Sequence, residues 1–211
     1  MNPWLEIPLA EYEGHMSMPA IGQAAMLADQ LVSLVARFHP SDVAVIGCAG
    51  GNGFDRLGLL ERLVGVDINP RYIDLAASRY AGKVTGLELY VGDVQDEQQL
   101  FQPVDLIYAA LVFEYVDVAR AMRNLARHCT RGGVLATLLQ LPHESKSAVT
   151  PSPYSSLQRL EPAMKLVEPR DLTAHAAAAG FELAESSEIE SAGGKRFAAQ
   201  VFRATQSDER S

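Results

Sequence analysis

Val43-Ala44-Val45-Ile46 is an apolar, mostly β-branched run that passes without a polar residue into Gly47-Cys48-Ala49-Gly50-Gly51-Asn52-Gly53. A strand that is apolar on both faces needs both faces covered, which is the condition of a parallel sheet with helices on either side. The pattern recurs. Residues 63–67, 87–91, 104–109 and 134–139 read as strands, with helical stretches near 53–61, 70–80 and 117–128 between most of them, and such alternation builds right-handed βαβ units. Before the first strand, Ile21, Ala24, Leu27, Ala28, Leu31, Leu34, Val35 and Phe38 follow helical spacing, with Ser17 as a plausible cap and Pro19 in the first turn. Glu168-Pro169 opens a last helix that stops at Gly180. Two strands, 181–189 and 196–204, then follow with only Ser191-Ala192-Gly193-Gly194 between them, and hairpin chemistry of that kind makes the pair antiparallel. The expected architecture is α/β, a three-layer αβα sandwich around a seven-stranded, mostly parallel sheet that ends in an antiparallel hairpin.

A chain of 211 residues, 48% hydrophobic, suffices for one substantial core, so a single domain over 1–211 is expected. Within it, 1–40 forms an N-terminal arm and helix, 141–169 a proline-rich candidate lid, and 205–211 a polar tail. The net charge of −8 comes with scattered Lys and Arg, which argues against nucleic acid as a partner. No run of about 18 apolar residues suggests a membrane span, and the acidic N-terminus lacks the basic flank of a signal peptide. Cys48 and Cys129 lie in apolar surroundings and fit reduced thiols, so a cytoplasmic location is expected.

The chemistry gathers at strand ends. The small residues of 47–53 let the backbone turn tightly and approach a ligand closely. Twenty residues after Gly47, at the end of the second strand, Asp67 stands where a carboxylate accepts both ribose hydroxyls of a nucleoside. Gly92-Asp93 ends the third strand in the same layer, positioned to meet an adenine amino group. These turns converge where the strand order of an open α/β sheet reverses.

The segments VIGCAGGNG, GVDINPRYIDLA, YVGDVQD and DLIYAALVFEYV resemble the class I S-adenosylmethionine-dependent methyltransferases, of small-molecule type and Rossmann-like fold. The resemblance runs from about Ile21 to Ala204. It implies S-adenosyl-L-methionine as cofactor and S-adenosyl-L-homocysteine as product. It also implies a cofactor site made of Gly47, Cys48, Ala49 and Gly51 in the first turn, Asp67 and Ile68 at the ribose, Asp93 and Val94 at the adenine, and Ala110 and Leu111 as the floor. Two residues depart from the family pattern. Val45 stands where an acid often helps to hold the methionine ammonium, and Ala49 replaces the middle glycine.

On the acceptor side the candidates are Tyr12 and His15 of the N-terminal arm, Glu114 and Tyr115 after the fourth strand, and His143 and Tyr154 of the proline-rich stretch. A hydroxyl or carbon acceptor needs a base among them, whereas a thiol, amine or carboxylate does not. His spacing gives no metal site. Two other functions fit parts of the pattern. Gly47-x-x-x-Gly51-x-Gly53 also suits short-chain NAD(P) oxidoreductases, but no tyrosine has the lysine four residues later that they require. A non-catalytic subunit that binds the cofactor is the other. The acidic surface favours a small-molecule acceptor, and oligomeric state is not legible.

Overall fold

The computed structural model describes residues 2–143, 147 and 149–205. After a 3₁₀ turn, Pro3–Glu6, come α1 (Leu9–Ser17) and α2 (Gln23–Phe38). The sheet strands and their helices follow as β1 (Asp42–Ile46), β2 (Arg62–Asp67), α3 (Pro70–Tyr80), β3 (Leu87–Val91), β4 (Val104–Ala110), α4 (Val118–Arg127), β5 (Cys129–Gln140), α5 (Pro169–Ala178), β6 (Phe181–Glu190) and β7 (Arg196–Ala204). They form one sheet in the order β3-β2-β1-β4-β5-β7-β6. β1 pairs in parallel with both β2 and β4, and only β7 runs against its neighbours β5 and β6.

Each expected strand is present, and alternation in β1 shows why. Val43 and Val45 enter the core shared with Leu31 and Leu34 of α2, while Ala44 and Ile46 enter the opposite core with Met122 and Leu125 of α4. Helix starts follow their chemistry. The Asn69 side chain accepts from the Arg71 N–H at 3.0 Å with Pro70 in the first turn of α3, and Asp117 accepts from the Arg120 N–H at 2.8 Å at the start of α4. The hairpin forms as expected, with the Ser191 N–H donating to the Lys195 carbonyl at 2.9 Å.

Three local expectations are corrected. The helix expected over 53–61 reduces to a 3₁₀ turn, Phe54–Arg56, because Gly58 adopts φ +73° and the chain leaves helical geometry there. Ser17 does not cap α2. It ends α1, and the Ile21 and Gly22 N–H groups both donate to the Met18 carbonyl, so α2 starts only at Gln23. The arm read as a segment before the first helix is itself helical: α1 packs against α2 and, through Leu9, against Ala49 of the glycine turn, and the 3₁₀ turn Ser155–Leu160 of the proline-rich stretch packs against it.

Candidate functional site

The chain turns away from β1 toward β2 on one side and is joined by β4 on the other, so a crevice opens at the carboxyl ends of β1 and β4. The glycine turn after β1 forms its lip and is held from several sides. Gly47 and Cys48 N–H donate to the Val66 carbonyl at 2.8 and 3.0 Å, the Tyr80 hydroxyl donates to the Gly51 carbonyl at 2.6 Å, and Arg79 donates to the Gly50 carbonyl at 2.9 Å.

Asp67 sits below the turn, 8% exposed. Its Oδ2 accepts from the Ala49 N–H and its Oδ1 from the Asn69 N–H, each at 2.9 Å. Burial pushes its carboxyl above the ordinary aspartate range, and the backbone donors pull it back down. Asn69, not Asp67, caps α3, so the carboxylate is not used up by the helix it precedes. Each carboxylate oxygen spends one interaction on the backbone and keeps lone-pair capacity toward the crevice.

Ala49 adopts φ +47°, inside the region that favours glycine, which explains the glycine that the family resemblance places there. Its methyl is buried with Leu9 and Tyr72. Relief of the left-handed strain, lost methyl burial of about 0.8 kcal/mol and the entropy of a new glycine nearly cancel. Ala49→Gly is therefore expected to change stability by less than about 1 kcal/mol. At Gly51, with φ +80°, a Cβ would lie 2.5 Å from the Tyr80 ring, and Gly51→Ala is expected to cost about 2 kcal/mol or more. Denaturant melts of the two variants test this ranking.

A cavity of about 100 Å³ runs along this crevice and is walled by Gly47, Ala49, Asp67, Ile68, Asp93, Val94, Ala110 and Leu111, eight of the ten expected cofactor residues. Cys48 faces a second cavity of about 390 Å³ on the α2 side of the turn, which the first meets at Gly47 and Ala49. Gly51 is in neither wall and serves the turn itself. Asp93 accepts from the Gln95 N–H at 2.9 Å, and Asn124 fixes the Val94 carbonyl at 3.0 Å. Leu111 adopts φ +58°, a conformation leucine rarely takes, with its N–H donating to the Leu138 carbonyl at 2.9 Å.

An aromatic cover lies over the crevice. Trp4 makes edge contacts with Tyr12 and Tyr115, at ring-centre distances of 5.5 and 5.1 Å, and Tyr12 stacks on Tyr72. The cover is tied to α3 by the Tyr72 hydroxyl donating to the Ile7 carbonyl at 3.0 Å, by Asn69 donating to the Trp4 carbonyl at 2.8 Å, and by the Arg79–Glu13 ion pair at 2.6 Å.

The acceptor-side candidates divide. A third cavity, about 70 Å³, is walled by Tyr12, His15 and Tyr115 together with Trp4 and Leu111. Glu114 is not in its wall. It lies behind it, 1% exposed, accepting from the Gln140 N–H at 2.7 Å. His143 lines none of these cavities, and Tyr154 faces a separate one of about 250 Å³ beside Gly14. Gln23, Gln140 and Lys195 join the wall without having been singled out. They come from α2, β5 and the hairpin, and no local motif links them. Among the described residues no group of three or more His, Cys, Asp or Glu could hold a metal, and no helix is long and apolar enough to cross a membrane.

Residues 44–137 match the methyltransferase domain family. No curated protein matches the sequence. Among solved structures the fold is similar to N-methyltransferase NodS from Bradyrhizobium japonicum WM9 in complex with S-adenosyl-L-homocysteine, at 18% identity, 87% of this chain, 88% of that one and a TM-score of 0.65. It is also similar to magnesium protoporphyrin IX methyltransferase ChlM from Synechocystis PCC 6803, at 14% identity, 87% and 84% coverage and a TM-score of 0.65. The [4+2]-cyclase SpnF shares the fold too, at 15% identity, 85% and 81% coverage and a TM-score of 0.66. The domain match over residues 44–137, the strand order with its single reversed strand and the glycine turn above Asp67 support a class I S-adenosylmethionine-dependent methyltransferase.

Proposed function

We propose that this enzyme transfers the methyl group of S-adenosylmethionine to a small-molecule acceptor held in the 70 Å³ cavity beneath Trp4, Tyr12 and Tyr115. The observation that carries the reading is the shared wall: Trp4, Tyr12, Leu111 and Tyr115 line both this cavity and the crevice that contains Asp67. A small covered space of this kind suits a compact acceptor and not a polymer.

Asp67 would receive the ribose hydroxyls, and Asp93 with Ile68 and Val94 would enclose the adenine. The methionine end would lie at Gly47 and Ala49, toward the 390 Å³ cavity. Glu13 of α1 lines that cavity, so an acid reaches the methionine side from the cover although Val45 supplies none from β1. S-adenosylmethionine, when bound, supplies an electrophilic methyl group on a sulfonium. The protein's part is to position and to exclude water: the aromatic cover shields the junction, and the strained Leu111 fixes the floor between the two compartments. Held reactants in near-attack geometry gain up to about 7 to 11 kcal/mol.

SpnF, a [4+2]-cyclase of the same fold, is a reminder that fold alone does not set the reaction. Calorimetry is expected to give binding of S-adenosylmethionine and S-adenosylhomocysteine at one site per chain, and binding of NAD(P) alone would overturn the reading. S-adenosylhomocysteine release against pooled metabolites then separates transfer from binding only. Cofactor binding with no release from any pool would favour a regulatory subunit.

A further inference from the structure

The acceptor cavity is not uniformly apolar. Lys195, at the start of the strand after the hairpin turn, is 5% exposed and lines it, with Nζ donating to the Gln140 Oε1 at 3.3 Å. His15 of α1 lines it as well. It is 7% exposed, and its Nδ1 is buried without a hydrogen-bond partner. Gln23 adds a second buried amide, and Leu157 and Leu160 supply an apolar wall. Burial and the positive charge of Lys195 both lower the basicity of His15, so the ammonium field acts across this space.

We propose, resting on the methyl-transfer reading above, that the acceptor is a small carboxylate with an apolar body, its carboxylate held between Lys195 and His15. A buried polar nitrogen without a partner marks a place where a ligand atom belongs. A cation is disfavoured beside Lys195. A carboxylate accepts from the ammonium and from an imidazole N–H at once, and charge-assisted hydrogen bonds of this type are about twice as strong as neutral ones. A water takes about 10 to 15 Å³ of such space, so 70 Å³ holds a polar head and a few apolar atoms. Leu157 and Leu160 lie where the apolar body would go.

The test uses the whole protein saturated with S-adenosylhomocysteine and two probes of one shape, benzoate and benzamide, titrated by calorimetry. Benzoate is expected to bind about tenfold more tightly. Lys195→Met, which keeps the apolar stem, is expected to bring the two affinities together while S-adenosylhomocysteine still binds, which also reports that the variant is folded. His15→Phe is expected to weaken benzoate more than benzamide. Equal binding of the probes, no binding of either, or a benzoate preference that survives Lys195→Met overturns the proposal with the cofactor assignment intact. Failure of S-adenosylhomocysteine itself to bind the unaltered protein overturns the methyl-transfer reading, and this proposal with it.

Discussion

Replacing Asp67 with alanine is expected to weaken S-adenosylhomocysteine binding by roughly 100-fold, a loss of about 3 kcal/mol, the scale of one or two hydrogen bonds to a charged acceptor. Two effects contribute. In the proposed site the ribose hydroxyls would lose their acceptor, and the Ala49 and Asn69 N–H groups lose the carboxylate that orders the turn. The 2′-deoxy analogue of S-adenosylhomocysteine separates them. The unaltered protein is expected to bind the analogue more weakly than the parent compound, whereas Asp67→Ala is expected to bind both alike. If the variant still discriminates against the deoxy analogue, the ribose contact belongs to another residue. If its affinity for the parent is unchanged, Asp67 has no part in the site.

How much of this was legible in the sequence follows from the range of the interactions involved. The central strands β1, β2 and β4 are short apolar runs whose burial is encoded residue by residue, so their positions and the closing hairpin could be read locally, whereas the order of the strands in the sheet could not. The position of Asp67 at the end of the second strand was legible, but that Asn69 and not Asp67 takes the cap of α3 emerges only from the fold. The cover was not legible. The buried residues of α1 are Leu9, His15 and Met16, which make no continuous apolar stripe, because the helix packs on a crevice and a loop instead of a flat core. Its partners are far away in sequence: Glu11 accepts from the Ser156 hydroxyl at 2.6 Å across 145 positions.

The same distance hides the wall of the 70 Å³ cavity. Lys195 flanks a hairpin and Gln140 ends a strand, 55 positions apart, and neither has a local pattern that distinguishes it from an ordinary surface residue. Tyr12 and His15 were legible only as part of an arm that precedes the glycine turn. Glu114 shows the opposite error: its position after the fourth strand suggested the mouth of the site, but the 3₁₀ turn Phe113–Tyr115 rotates Tyr115 toward the cavities and Glu114 into the protein.

That inward carboxyl carries the second large prediction. Glu114 is fully buried, its Oε2 has no hydrogen-bond partner, and burial pushes its pKa up to about 7. In the unfolded chain the group ionises near 4.5. Between these values the unfolded state releases a proton that the folded state retains. The stability associated with the neutral carboxyl is therefore fully present below pH 4.5 and is lost as pH rises through about 7, by on the order of 3 kcal/mol. Glu114→Gln keeps an oxygen to accept from the Gln140 N–H and cannot ionise, so it imitates the neutral form at every pH. The variant is expected to match the unaltered protein in urea melts at pH 4 and to exceed it by on the order of 3 kcal/mol at pH 8. Parallel stability profiles for the two proteins from pH 4 to 8 would show that the carboxyl is already charged in the fold, with a compensating donor at Oε2.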